Sequence, residues 1–205
     1  MKLFFMPGAC SLAPHIVLEW IGTSYEAAKL SHEDTKKPEY LKINPAGAVP
    51  ALQESDGWVL TQNPAILSYL VEKFPQAKLG PDNNPRSHAE FNSWLAHFSS
   101  DVHKSFVPIF GPQRFGVGED QYDKLKQAAV EKIRTLMERI NEKMRGQDHV
   151  FSGRRTVLDA YLFVFLRWVD KRAGGLEAFK ELKRFLESML QDAAVQKALR
   201  EEGLA

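Results

Sequence analysis

One cysteine in 205 residues cannot close an internal disulfide. A secreted, disulfide-stapled fold is therefore excluded, and a reducing cytoplasm is the expected compartment. Lysine and arginine total 27 against 26 aspartates and glutamates. With no excess of either sign, nothing draws the chain to nucleic acid or to an anionic membrane, and neither is expected as a partner. The longest apolar run, AYLFVFL at 160–166, falls far short of the roughly 20 residues a membrane helix needs. The start, MKLFFMPGAC, offers too few apolar residues before Pro7 for a signal-peptide core. There is no internal repeat and no low-complexity segment. The remainder, 44% hydrophobic and 26% charged, is an ordinary globular composition, enough to bury the core of one large domain or two small ones.

The pattern changes character once along the chain. KLFF at 2–5 predicts a strand, SLAPHIVLEWIG a helix closed by Gly22, and YEAAKL at 25–30 a second strand, the outline of a βαβ unit. AVPALQ at 48–53 and GWVLTQ at 57–62 predict a hairpin. NPAILSYLVEKF predicts a helix with Asn63 as N-cap and Pro64 at the first helical position. PQAKLGPDNNP at 75–85 has the composition of a linker. Beyond it every periodic segment is helical. TVLDAYLFVFLRWVDKR is apolar almost all round, which marks a buried central helix, and Thr156 and Asp159 stand at capping-box spacing. Two short helices are expected near 177–189 and 192–201. The expected fold is α/β followed by all-α, with residues 1–75 as one domain, 76–85 as linker and 86–205 as a helical domain.

Cys10 falls where the first strand turns into the first helix. A thiol at a helix N-terminus faces unpaired N–H groups and the positive end of the dipole, which lowers its pKa, and Ser11 adds a hydroxyl beside it. The opposing reading is a buried, inert side chain. A dithiol cycle is ruled out, because CSLA has Ala13 where a resolving cysteine belongs. Any disulfide of Cys10 needs a thiol from elsewhere, and a small thiol cofactor is the obvious source. In GAVPAL, a cis Val49–Pro50 bond would turn the Val49 backbone outward to pair with an extended peptide, although only about 5–6% of X–Pro bonds are cis. In LTQNPAI, Gln62 and Asn63 at a helix start suit the ammonium and carboxylate of an amino-acid-like ligand, or simply a cap. Together these describe a site for a short thiol peptide.

The segments KLFFMPGACSLAPHI, NPAGAVPAL, LTQNPAILSYL, VHKSFVPIF and TVLDAYLFVFLRW resemble glutathione transferases, most of all the bacterial beta class. The resemblance runs from residue 2 to about 168, and AVQKALREEGL near the C-terminus fits as well. It implies a thioredoxin-like N-terminal domain, an all-helical C-terminal domain and a homodimer. It implies glutathione as co-substrate, a hydrophobic electrophile as second substrate and no metal. The implied glutathione contacts are Ala9, Cys10, Val49, a cis Pro50, Gln62, Asn63, Ser100, Asp101, His103 and a loop lysine, Lys36 or Lys37. Cys10 and His103 are the implied catalytic pair. Cys10 lies against the glutathione sulfur and forms a mixed disulfide, and His103 favours a thiolate by a hydrogen bond or a positive charge. Asn63 and Pro64 depart from the usual residues of the γ-glutamyl site. A glutathione-dependent isomerase and a non-catalytic binding module of the same fold stay open as alternatives, although Ala9-Cys10-Ser11 departs from the Ser-Ser-Cys common in the isomerases. The other histidines, His15, His32, His88, His97 and His149, lack metal-ligand spacing and read as surface or packing residues.

Overall fold

The computed structural model describes residues 1–205. Strand β1 (Lys2–Phe5), helix α1 (Leu12–Ile21) and strand β2 (Glu26–Lys29) form the βαβ unit, with β1 and β2 parallel. A short α2 (Pro38–Leu41) precedes the hairpin β3 (Ala51–Gln53) and β4 (Val59–Thr61), and α3 (Asn63–Lys73) follows. The sheet runs β2-β1-β3-β4, with β3 antiparallel to both neighbours. This is the thioredoxin-like arrangement. The alternation of β1 explains its two faces: Leu3 and Phe5 join the main core, while Phe4 packs with Tyr40 and Ala51 on the other side.

Two expected boundaries move. Residues 48–50 are not strand, because the Ala48 carbonyl accepts the Tyr40 hydroxyl and the Asn44 amide, each at 2.6 Å. The Val49–Pro50 bond that follows is cis. At the end of β4, Gln62 takes a left-handed φ of 72° and makes the turn into α3. Asn63 is therefore the first helical residue and not the cap, and Pro64 is the second.

The helical part comprises α4 (Pro85–Ala96), α5 (Val107–Phe110), α6 (Tyr122–Lys143), α7 (Val157–Arg172), α8 (Lys180–Gln191) and α9 (Ala193–Glu202). Between α4 and α5 the chain winds into a wide π-helical turn, His97–His103. The apolar stripe through Phe98, Val102 and Phe106 continues across it, so spacing alone predicts an uninterrupted α-helix there. Helix α7 is buried from Val157 to Leu166, as its composition predicts. Its start is held by the Asp159 carboxylate, which accepts the Thr156 N–H at 2.7 Å and the Val150 N–H at 2.9 Å. The capping box is therefore real, with Asp in place of Glu. Helix α1 packs on α3, α7 and α9 and so joins the sheet to the helical domain. No helix is long and apolar enough to cross a membrane.

Candidate functional site

The loop Met6–Ser11 between β1 and α1 is gripped from three sides. The Ser11 hydroxyl is fully buried and turns back on Met6, accepting its N–H at 3.1 Å and donating to its carbonyl at 3.3 Å. It is spent on the loop and is not a donor to the thiol. Gly8 takes a left-handed φ of 73°, a conformation open to glycine without steric cost. Its N–H donates to the Glu202 carboxylate and its carbonyl accepts the Trp168 indole N–H, each at 2.8 Å. Both peptide groups of one residue are thus held by α9 and α7.

Cys10 sits at the end of this loop with its Sγ donating to the Val49 carbonyl at 3.4 Å. The expectation of a lowered pKa does not survive. Burial dominates and pushes the thiol up to about 12, against the pull of the Cys10 and Ser11 amides at the helix start, and the Glu202 charge adds to the rise. The helix terminus acts as predicted, but desolvation of the charged form outweighs it. Cys10 at neutral pH is an S–H donor.

The contact with Val49 brings Cys10 and the cis Val49–Pro50 segment together. The Val49 N–H has no backbone partner in the chain. Asn63 is 4% exposed, and neither its Oδ1 nor its Nδ2 makes a hydrogen bond. An unpaired buried carboxamide costs about 1–3 kcal/mol, and a structure that keeps one holds a polar socket ready. Of the two loop lysines, Lys37 is committed to Asp34 at 2.6 Å. Lys36 is exposed and carries no ion pair.

His103 and its neighbours Ser100 and Asp101 part company. Ser100 donates to the Ala96 carbonyl at 2.8 Å, and Asp101 pairs with His97 at 2.8 Å. Both line an open groove of about 930 Å³ that also presents Trp94, Arg139 and Lys143. None of Cys10, Val49, Pro50, Gln62 or Asn63 belongs to it. His103 points the other way, with Nδ1 on the Tyr161 hydroxyl at 2.9 Å and its ring 5.2 Å from that of Trp168. Burial first, then the Lys104 charge, lowers its pKa to about 4. The imidazole is neutral, so the positive charge expected of it is missing. Replacing His103 by alanine should therefore lower kcat/KM without moving its profile along the pH axis between 5.5 and 9. A displaced profile would restore the charged histidine.

Profiles of the glutathione S-transferase N-terminal and C-terminal domains match residues 1–72 and 97–192. The chain belongs to the glutathione S-transferase family. It is 43% identical over its whole length, and the whole length of the relative, to a glutathione S-transferase of Xanthomonas campestris. Among solved structures it is 36% identical to a bacterial beta class transferase of Sphingomonas chungbukensis, with a TM-score of 0.89 and full coverage of both chains. A sphingomonad glutathione S-transferase complexed with glutathione gives 36% identity and a TM-score of 0.88, again with full coverage.

One cluster of this transferase escaped the sequence reading. His15 is completely buried, with Nδ1 2.9 Å from Glu202 and Nε2 3.0 Å from Glu201. It is a packing residue, as expected, but an ionic one. His15, Glu19 and Glu201 stand close enough to share a metal ion. The Lys197 ammonium already occupies that charge role, 2.6 Å from Glu19 and 3.3 Å from Glu201. The only signal in the sequence was a histidine on the apolar face of α1, and its carboxylate partners lie more than 180 residues away.

Proposed function

We propose that this family member binds glutathione across Cys10, Val49, Pro50, Gln62 and Asn63 and transfers it, through its sulfur, to a hydrophobic electrophile. The observation that carries the reading is the unpartnered carboxamide of Asn63, buried at the start of α3 just after the strand that pairs with β3. The free Val49 N–H supports pairing with the extended peptide backbone. Gln62 and Asn63 serve the γ-glutamyl end, Ala9 lies along the backbone, and unpaired Lys36 suits the glycine carboxylate. When glutathione binds, the Cys10 S–H turns from the Val49 carbonyl to the glutathione sulfur and, as a neutral donor, favours that sulfur's thiolate, whose proton leaves to solvent. The thiolate then attacks the electrophile, a C–S bond forms, and the leaving group takes the bonding pair. Positioning and electrostatic stabilisation carry the rate, and no step calls on a metal.

Half-exposed Phe110, its ring 5.1 Å from that of Trp168 and backed by buried Phe106, suits an apolar second substrate. Reduction of peroxides or disulfides through the same sulfur is a further outcome. Ser100 and Asp101 face a separate groove, so they reach glutathione only in the site of a second copy, which favours a homodimer. The division at 1–75, 76–85 and 86–205 and a cytoplasmic location complete the reading.

Calorimetric titration with glutathione and turnover on aryl halides, epoxides, peroxides and mixed disulfides test it. Asn63→Leu should weaken glutathione binding by about 1–3 kcal/mol, roughly 5- to 150-fold. Stability of the free protein should hold or rise, since the lone polar group is gone and no cap is lost. Wild-type protein that fails to bind glutathione, or an Asn63→Leu variant with unchanged affinity, would overturn the assignment.

A further inference from the structure

Tyr161 lies in the first half of α7, fully buried within the apolar stretch 160–166. A phenol there is out of place unless its hydroxyl has a task, because a buried O–H needs a partner. Its partner is Nδ1 of His103 at 2.9 Å, with the two rings nearly perpendicular at 87°. The π-helical turn that ends at His103 sets the imidazole over α7. Phe165 and Trp168 flank it, with ring centroids 5.9 and 5.2 Å away. On the other nitrogen the situation is reversed. Nε2 makes no hydrogen bond within the chain, on a residue that is only partly buried. Asn63 lies close enough to the Tyr161 hydroxyl to bias its titration, and so does Cys10, although no Asn63 hydrogen bond forms. One hydroxyl therefore stands between the socket residue of the thioredoxin-like domain and the histidine of the helical domain.

We propose that Tyr161 is a positioning residue: its hydroxyl donates to Nδ1 of His103, fixes the Nε2–H tautomer and orients that N–H toward the cleft. The proposal rests on the reading that His103 serves the glutathione site. A neutral imidazole has one acceptor nitrogen and one N–H, and the bond at one nitrogen decides the role of the other. In the reverse polarity, Nδ1–H onto the phenol oxygen, the phenol proton would have only the neighbouring Asn63 carboxamide to turn to, and no hydrogen bond joins the two. Burial raises the Tyr161 pKa and lowers that of His103 to about 4, so one proton stays in the bond across the neutral range. His103 then offers the cleft a fixed, uncharged donor.

The test is Tyr161→Phe in the full chain, which removes one oxygen and keeps the ring. Imidazole 15N NMR of wild-type protein, with His103 assigned by its loss in His103→Gln, should show the Nε2–H form alone. Tyr161→Phe should show both tautomers. Its kcat for glutathione transfer should fall about five- to tenfold through lost orientation, with KM for glutathione within twofold of wild type. A purely structural tyrosine would lower thermal stability and leave the tautomer and kcat unchanged, and that result overturns the proposal. So does a wild-type spectrum showing Nδ1–H, which needs no variant at all. Absence of glutathione turnover in wild-type protein would instead strike the functional reading, with the tautomer still readable.

Discussion

Replacing His15 by alanine is expected to cost about 3–5 kcal/mol, the penalty for leaving a buried charge without its partner. Both ring nitrogens of His15 meet carboxylates, at 2.9 and 3.0 Å. Ionised carboxylates only accept, so both nitrogens carry protons and the ring is an imidazolium. Glu202 has a fully buried side chain, and its other oxygen holds the Gly8 N–H. Without His15 that carboxylate keeps its burial and loses its counter-charge. Burial is the largest single influence on the His15 pKa and lowers it, but Glu202 and Glu201 together outweigh it, and the net shift is upward from 6.5. A raised folded pKa gives stability that is complete below the unfolded value and lost as pH climbs through the folded one. The other groups facing the ring are Tyr25, Glu19 and Lys197. Tyr25 stays protonated, since burial and then Glu19 raise its pKa. Urea unfolding of wild type and His15→Ala should therefore differ most at about pH 6, with the difference shrinking as pH rises above 6.5. A difference below about 1 kcal/mol, or one flat with pH, would show that the ring is held neutral.

Alkylation of Cys10 in the ligand-free protein should run about 30- to 50-fold slower than that of a free cysteine at the same pH. A thiol pushed from 9.0 to about 12 carries about a thousandth of the ordinary thiolate at neutral pH. The more basic thiolate recovers about 20- to 30-fold through its greater nucleophilicity. The chain has one cysteine, so the mass shift with iodoacetamide reads this site without ambiguity, and unfolding in urea should restore the full rate. Oxidised glutathione should give one adduct, formed slowly and removed by reductant. A native rate within threefold of a free thiol would mean that the amides at the start of α1 prevail over burial.

The alternating faces of KLFF, the central helix at TVLDAYLFVFLRW and the capping pair Thr156 and Asp159 were legible in the sequence because each depends on residues within a few positions. The same holds for Cys10 at the strand-to-helix turn and for the Val49–Pro50 pair, and the family could be read from these motifs together. What they do chemically was not legible there. Asn63 looks like a cap until the left-handed turn at Gln62 moves the helix start, and only then is its carboxamide a buried, empty socket. Ser100 and Asp101 read as neighbours of His103, yet the wide turn sends them to a different groove. Cys10 keeps its proton, and His15 gains one, because of side chains that α7 and α9 bring from more than 140 residues away. Periodicity and caps are local and short-ranged. Desolvation and charge pairing are summed over every atom packed around a group, and only the folded chain decides which atoms those are.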